Sequence, residues 1–338
     1  MNEFKTFIGI DISKKTFDAA VLNASTTNVY VHQCFSQSKE GYVSFLEWLQ
    51  EQDIVIDNEV LICMEHTGIY INGVVEYLIG INSNIWVEMP LRIKKSMGLQ
   101  RGTDDRLAAI MIAQYAFRFR DLAKLWKPAD AAIEELRNLV AQRDRLVSSI
   151  TQLNVPVNEL KDSGNIVQAK QLIKLQSPAI KGLEKSLQQL EEAIDSNIAK
   201  DVTTKKVIGQ VSSVKGVGKQ TAIALYVYTR GFTMFENAKQ LACYCGVVPF
   251  GKSSGTSVRY KPGVSPYANR KLKKLLHLCA LAALRFDPEI RAYYLRKVSE
   301  GKNKMSVINA IRNKLVHRIF AVVRENRLYV DNYAKACA

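Results

Sequence analysis

An α/β domain followed by a mainly helical remainder is the fold class this sequence predicts, on three observations. Over about the first 120 residues, short apolar runs alternate with amphipathic stretches, as in a mixed sheet covered by helices. Residues 128–200 then turn rich in Glu, Gln, Arg and Leu, with apolar residues at seven-residue spacing. The last part is strongly basic: residues 251–338 hold 19 Lys and Arg against 5 Asp and Glu, so nearly all of the net +15 of the 338-residue chain sits there. The chain length suggests roughly two or three domains, and the composition divides it at 1–125, 126–200 and 201–338.

The first strands are read at 6–13, 16–23 and 27–35. A helix over 39–52 follows, with Tyr42, Phe45, Leu46 and Leu49 on its apolar face. A strand from Glu59 to Met64 runs into Glu65-His66-Thr67-Gly68, and a helix over about 70–80 leads to a strand from Ile85 to Met89. Three antiparallel strands, a helix and a strand ending on an acid make the RNase-H-like order. Within it, Asp11 interrupts the apolar run Phe7-Ile8-Gly9-Ile10-Asp11-Ile12. A carboxylate in a buried strand is costly without a cation or hydrogen bonds. The stretch fits a metal-dependent nuclease-type site equally with a strand that ends at a solvated turn. Glu65 and Asp105 are the acids expected to join Asp11. Three converging carboxylates would repel, which implies a divalent cation with oxygen ligands, Mg2+. Thr103 is the expected N-cap of the helix that opens near Asp105, and Asp104 is read as a first-turn acid favoured by the helix dipole.

Ile133, Leu136, Val140, Val147, Ile150 and Val157 form one apolar seam, with a break expected between Pro156 and Gly164; Leu183, Leu187, Leu190 and Ile194 form a second. The two predict a helical hairpin or a dimerising coiled coil. Val214-Lys215-Gly216-Val217-Gly218-Lys219 is a helix-hairpin-helix pattern, in which Lys215, Gly216, Gly218 and Lys219 are candidates to grip phosphate. Gly251 to Arg259 reads as a polar loop holding Lys252, Ser254 and Arg259. Ser265-Pro266 is expected to cap a helix whose basic face carries Arg270, Lys271, Lys273 and Lys274, with Leu272, Leu275, Leu276 and Cys279 opposite. Such concentrated positive charge is a polyanion-binding signature.

Other classes recede. No apolar run approaches the ~20 residues of a membrane helix, and the N-terminus lacks a secretory layout. The six cysteines and four histidines are too scattered for a structural zinc site. Reduced thiols and a cytoplasmic setting are expected.

The motifs Gly-Ile-Asp11, Met-Glu65-His-Thr-Gly, and Asp105 ahead of Ala109 and Met111-Ile112-Ala113 carry a resemblance. With Lys215-Gly216-Val217-Gly218, Gly246-Val247-Val248-Pro249 and Ser254-Gly255 in the same order, the chain resembles the bridge-RNA-guided transposases of the insertion-sequence-110 family, related to pilin-gene DNA invertases. The resemblance implies a RuvC-like N-terminal domain, a coiled coil, and a C-terminal transposase domain in which Ser254 is the nucleophile. It also implies two Mg2+ ions when all acids are present, and a structured guide RNA that pairs with donor and target DNA. A homodimer assembling to a tetramer, in the bacterial nucleoid, would bring the acids of one subunit to the serine of another.

One position departs. The resemblance places a fourth carboxylate three residues after Asp105, and here that residue is Ala108. Asp104 points roughly 100° away around the helix and is a poor substitute. The chain is then a decayed copy or carries an inactivating replacement, and is expected to bind DNA and RNA while cleaving weakly or not at all. The rival readings are a RuvC-like Holliday-junction resolvase, a DNA invertase without guide RNA, a non-catalytic nucleic-acid-binding protein, and an actin-like ATPase. The last would need a second phosphate hairpin, which does not appear.

Overall fold

The computed structural model describes residues 4–24, 30–96, 98, 104–127, 130–254, 258–265 and 267–331; the side chains of Tyr30 and of residues 252–262 lie outside that set. The chain forms two compact units, Met1–Pro128 and Ala129–Ala338.

The first unit is a five-stranded mixed sheet with helices on both faces. Strands β1 (Thr6–Ile12), β2 (Thr16–Asn23) and β3 (Tyr30–Ser36) form an antiparallel meander. Helix α1 (Lys39–Glu51) follows, then β4 (Val60–Glu65), which pairs parallel to β1. A 3-10 turn at Gly68–Ile71 runs into α2 (Asn72–Gly80), and β5 (Asn84–Glu88) pairs parallel to β4, giving the order β3-β2-β1-β4-β5. Helices α3 (Pro90–Ser96) and α4 (Asp105–Arg118) end the unit, with a further 3-10 turn at Arg120–Leu122. Period-2 alternation sorts the β1 side chains. Ile8, Ile10 and Ile12 join Phe17, Phe45, Trp48 and Leu78 in one core, whereas Phe7 joins Leu61, Cys63, Trp86 and Ile112 in the other. The apolar face of α1 is therefore Tyr42, Phe45, Trp48 and Leu49, with the expected Leu46 only partly buried.

The second unit opens with α5 (Ala131–Asp162) and α6 (Ile166–Lys200), a long antiparallel hairpin. The break expected between Pro156 and Gly164 falls at the glycine end of that interval: α5 runs through the proline to Asp162 and turns at Gly164, whose φ of +81° suits glycine. Tertiary packing overrides the proline here, since Val157 on α5 and Ala169 on α6 are both buried beside the turn. Arg143 Nε donates to Glu191 Oε1 at 2.8 Å across the pair. Helices α7 (Val202–Ser212) and α8 (Lys219–Tyr228) flank a turn containing Gly216 and Gly218. Thr221 to Val227 of α8 is buried without interruption, so this helix is the centre of the second core. Around it lie α9 (Ala238–Tyr244), α10 (Arg270–Phe286), α11 (Pro288–Ser299) and α12 (Lys304–Arg324).

Two local expectations change. The polar loop at 251–259 is an antiparallel hairpin instead, β6 (Pro249–Ser254) with β7 (Val258–Val264), irregular at Phe250/Lys252. Asn269, not Ser265-Pro266, caps α10: its Oδ1 accepts from the Leu272 N–H at 3.0 Å, while Ser265 Oγ accepts from Tyr267 N–H in the turn before. Pro266 itself lies outside the described residues. None of the described helices is long and apolar enough to cross a membrane.

Candidate active site

The sheet register gathers the acids of the first unit on one face. Asp11 is paired with Asp18 across β1 and β2, and Glu65 with Glu88 across β4 and β5. Because Ile10 is the parallel partner of Met64, Asp11 and Glu65 are the next position of the same ladder. Odd-numbered β1 and β4 residues share their face with Phe7, Leu61 and Cys63, the core that α4 covers. Asp18, Asp11, Glu65 and Glu88 thus form a row across four neighbouring strands. Sequence reading identified only the middle two.

Gly9 explains why α4 lies against this row. A Cβ built there would sit 2.1 Å from the Ala109 carbonyl oxygen and 2.3 Å from Ala113 N, so only glycine allows the helix backbone so close to β1. That contact falls one turn after the start of α4, which places Asp105 beside Asp11. Asp104, rather than the expected Thr103, is the N-cap: its Oδ1 accepts from the Leu107 N–H at 2.6 Å. Thr103 lies outside the described residues. Ala108, half-buried, follows Asp105 by one turn and presents only a methyl group.

The electrostatics single out Asp11. Burial, then the charges of Glu65, Asp105 and Asp18, raise its pKa to about 6, against one hydrogen bond from the Ile12 backbone. Burial also raises Glu65, opposed by Lys94 of α3. The outer acids are held by protein groups. Asp18 Oδ1 lies 2.7 Å from His32 Nε2 on β3. Glu88 accepts from Met89 N–H (2.7 Å), Arg92 Nη1 (3.2 Å) and the Tyr115 hydroxyl (3.3 Å); burial and Glu88 push that hydroxyl up to about 12. Among the described residues, neither Asp11 nor Glu65 makes an ion pair, and no three His, Cys, Asp or Glu side chains already close a metal cage. The donor set still fits a hard cation. It is all oxygen, it carries uncompensated charge, and magnesium characteristically binds one or two carboxylates while keeping water and phosphate oxygens as its other ligands.

The candidate phosphate-gripping residues of the second unit sit in varied surroundings. Lys215 pairs with Asp331, and Lys219 Nζ lies 2.6 Å from Asp195 Oδ1. Gly216, at φ +87°, makes its close approach to the protein itself: an added Cβ would lie 2.7 Å from Ala283 N and 2.8 Å from Cys279 O on α10. Gly218 has open space beside it and caps α8. Lys271 turns inward to Asp144 and over the Tyr228 ring, and burial with the Arg143 charge lowers its pKa to about 8. Arg270 and Lys274 are exposed and Lys273 is half-buried. Ser254 ends β6 opposite Val258; its side chain, those of Lys252 and Arg259, and Gly255 lie outside the described residues.

Comparison with known proteins matches both units. Residues 8–161 match the IS110 DEDD-type transposase model, and residues 209–295 match the model described as "Transposase IS116/IS110/IS902 family". The chain is 27% identical over 334 residues to the pilin gene-inverting protein of Moraxella lacunata, covering 96% of this chain and 97% of that one, and equally so to its Moraxella bovis counterpart. A protein of insertion element IS110 from Streptomyces coelicolor is 34% identical over 119 residues, 35% of this chain and 29% of its own length. With the two models together matching well over half of the sequence in their expected order, this chain belongs to the IS116/IS110/IS902 family of transposases.

Proposed function

We propose that this protein is a DNA recombinase that cuts and rejoins strands through a phosphoserine on Ser254, guided by a structured RNA paired to donor and target DNA. The observation that carries the catalytic half is the acidic row, in which Asp11 is held near pKa 6 by burial, Glu65, Asp105 and Asp18. Two Mg2+ ions would be held by Asp11, Glu65 and Asp105, supplying charge stabilisation at the phosphoryl oxygens. The Ser254 oxygen forms a bond to phosphorus as the bond to one sugar oxygen breaks. The serine proton passes to a base beside the acidic row, a carboxylate or water, and the departing sugar oxygen takes up a proton. Attack by another sugar hydroxyl reverses the step and frees the serine, so the bond energy is retained without ATP. A homodimer assembling to a tetramer would deliver the serine of one subunit to the acids of another, the first unit acting as a RuvC-like domain and α5–α6 as the coiled coil that joins subunits. Such a protein works in the cytoplasm, at the nucleoid. The pilin gene-inverting relatives support an inversion reaction of the same chemistry.

RNA guidance is supported by charge. The second unit has 34 Lys and Arg against 17 Asp and Glu, whereas the first has 13 against 15. A polyanion-binding surface that leaves sequence choice to base pairing needs charge and shape rather than base-reading side chains. Sequencing RNA that copurifies with the chain tests this; recovery of only random cellular RNA would remove the guide. For the chemistry, Ala108→Asp with DNA and Mg2+ should yield a protein–DNA adduct on denaturing gels that Ser254→Ala abolishes. An adduct surviving Ser254→Ala defeats the serine assignment. Ala108 itself favours a second reading, in which this chain binds nucleic acid and cleaves weakly; comparing cleavage with binding on one substrate separates the two.

A further inference from the structure

We infer that Lys273, His277 and Arg312 form a phosphate subsite for the DNA backbone, next to the strand that leads to Ser254. The starting point is Arg312 on α12, which is only 8% exposed and makes no ion pair among the described residues. Burial alone accounts for its lowered pKa, with no acid to offset it, and its Nε has no hydrogen-bond partner. A buried guanidinium in this condition is costly unless an anion reaches it.

Its neighbours supply the mouth. Arg312 Nη2 lies 2.6 Å from His277 Nδ1 on α10. A guanidinium has no acceptor, so Nδ1 accepts and the ring proton sits on Nε2, a donor that no described acceptor takes. Burial and the Arg312 charge keep the ring below its ordinary pKa, as a neutral donor. Lys273 lies one turn back on the same face of α10, where its Cδ would be 3.5 Å from a Cβ built on Gly246. Asn309, one turn before Arg312, donates from Nδ2 to the Val247 carbonyl at 2.8 Å. The cluster therefore closes around Gly246 and Val247, and two residues later Pro249 begins β6, which ends at Ser254. Two donors at the mouth, the Lys273 ammonium and the His277 Nε2–H, stand in front of a buried guanidinium, and no carboxylate among the described residues pairs with either cation, an arrangement that matches a phosphodiester oxyanion. Arg312 is the positioning residue, fixing the tautomer of His277, while His277 and Lys273 touch the ligand.

That the ligand is DNA rests on the proposed recombinase activity. The test is binding of the full chain to a labelled 40-base-pair duplex and to a single-stranded RNA of equal length, across a salt series, with melting curves to verify folding. Lys273→Gln should weaken duplex binding several-fold and lower the salt slope by about one. His277→Phe should weaken it several-fold at an unchanged slope, because the neutral ring releases no counterion. Arg312→Met should behave like His277→Phe; should it fail to fold, the two α10 variants decide alone. Parent-like duplex affinity in both α10 variants overturns the subsite while leaving the recombinase reading intact. Loss of RNA binding with duplex binding unchanged overturns it in favour of the guide. A parent chain that binds no duplex at any salt defeats the recombinase reading, and this inference with it.

Discussion

At the scale of single residues, the acids of the first unit oppose the fold that holds them. Asp11 has its pKa raised from 3.8 to about 6, so between those values the folded chain binds more protons than the unfolded one. Stability from this group is therefore present at low pH and falls as pH rises through the window. In chelator, Asp11→Asn should raise the melting temperature at pH 7 by about 4 °C, an advantage that vanishes near pH 4; equal melting at both values would show that the carboxylate is not strained. Restoring the acid at Ala108→Asp should increase Mg2+-dependent nicking by about 10²-fold, the scale of one catalytic group regained, read on a supercoiled plasmid. Asp11 and Glu65 were legible because an acid inside an apolar run, or closing one, is conspicuous, and Asp105 because it opens a helix expected beside their strands. Asp18 and Glu88 were not, since an acid near a strand end reads as a solvated turn until the register shows which face it shares. Lys271 misleads in the opposite sense: its spacing puts it on a basic face, yet its Nζ is taken by Asp144.

At the scale of elements, two contacts decide where helices lie. Gly9→Ala would drive a methyl into the backbone of α4, displacing the helix that carries Asp105. It should cost about 1–3 kcal/mol in denaturant unfolding, and raise the Mg2+ concentration needed by an Ala108→Asp chain; a neutral result would mean that α4 shifts freely. In the second unit, Asp287 is 2% exposed, caps α11 through the Glu289 and Ile290 N–H groups, and accepts from Arg318 Nη1 at 2.6 Å. Asp287→Ala leaves Arg318 with the exposed Glu289 as its one acid among the described residues, beside the Tyr329 ring, and should destabilise this unit by about 3–5 kcal/mol; a loss below about 1 kcal/mol would show that these partners suffice. Element positions were largely readable from periodicity. The exceptions have physical causes. Pro156 is carried through α5 by packing that no local propensity encodes, and the β6–β7 hairpin is polar enough to pass for a loop.

At the scale of the whole molecule, charge and chemistry are separated by unit. The acids lie in a unit of near-zero net charge, and the positive surplus in the other. Expressed separately, residues 129–338 should bind duplex DNA with a steep salt dependence, whereas residues 1–128 should bind it at least tenfold more weakly, roughly the effect of removing a few phosphate contacts. Comparable binding by the two pieces would refute the division. Charge asymmetry along the chain was visible before any fold; the pairing of His277 with Arg312, 35 residues apart, was not.

The hairpin of α5 and α6 has a mechanical consequence. A 32-residue helix is roughly 50 Å long, and Lys271 fastens α5 to the body of its unit through Asp144, partway along it. The hairpin beyond that point, roughly 27 Å of it, is thus a lever with its fulcrum at Asp144. A tilt of about 5° there, small for packed helices, sweeps the far tip through roughly 2 Å. Whatever grips that tip can transmit its own movement, geared down, to α10 and the basic residues along it.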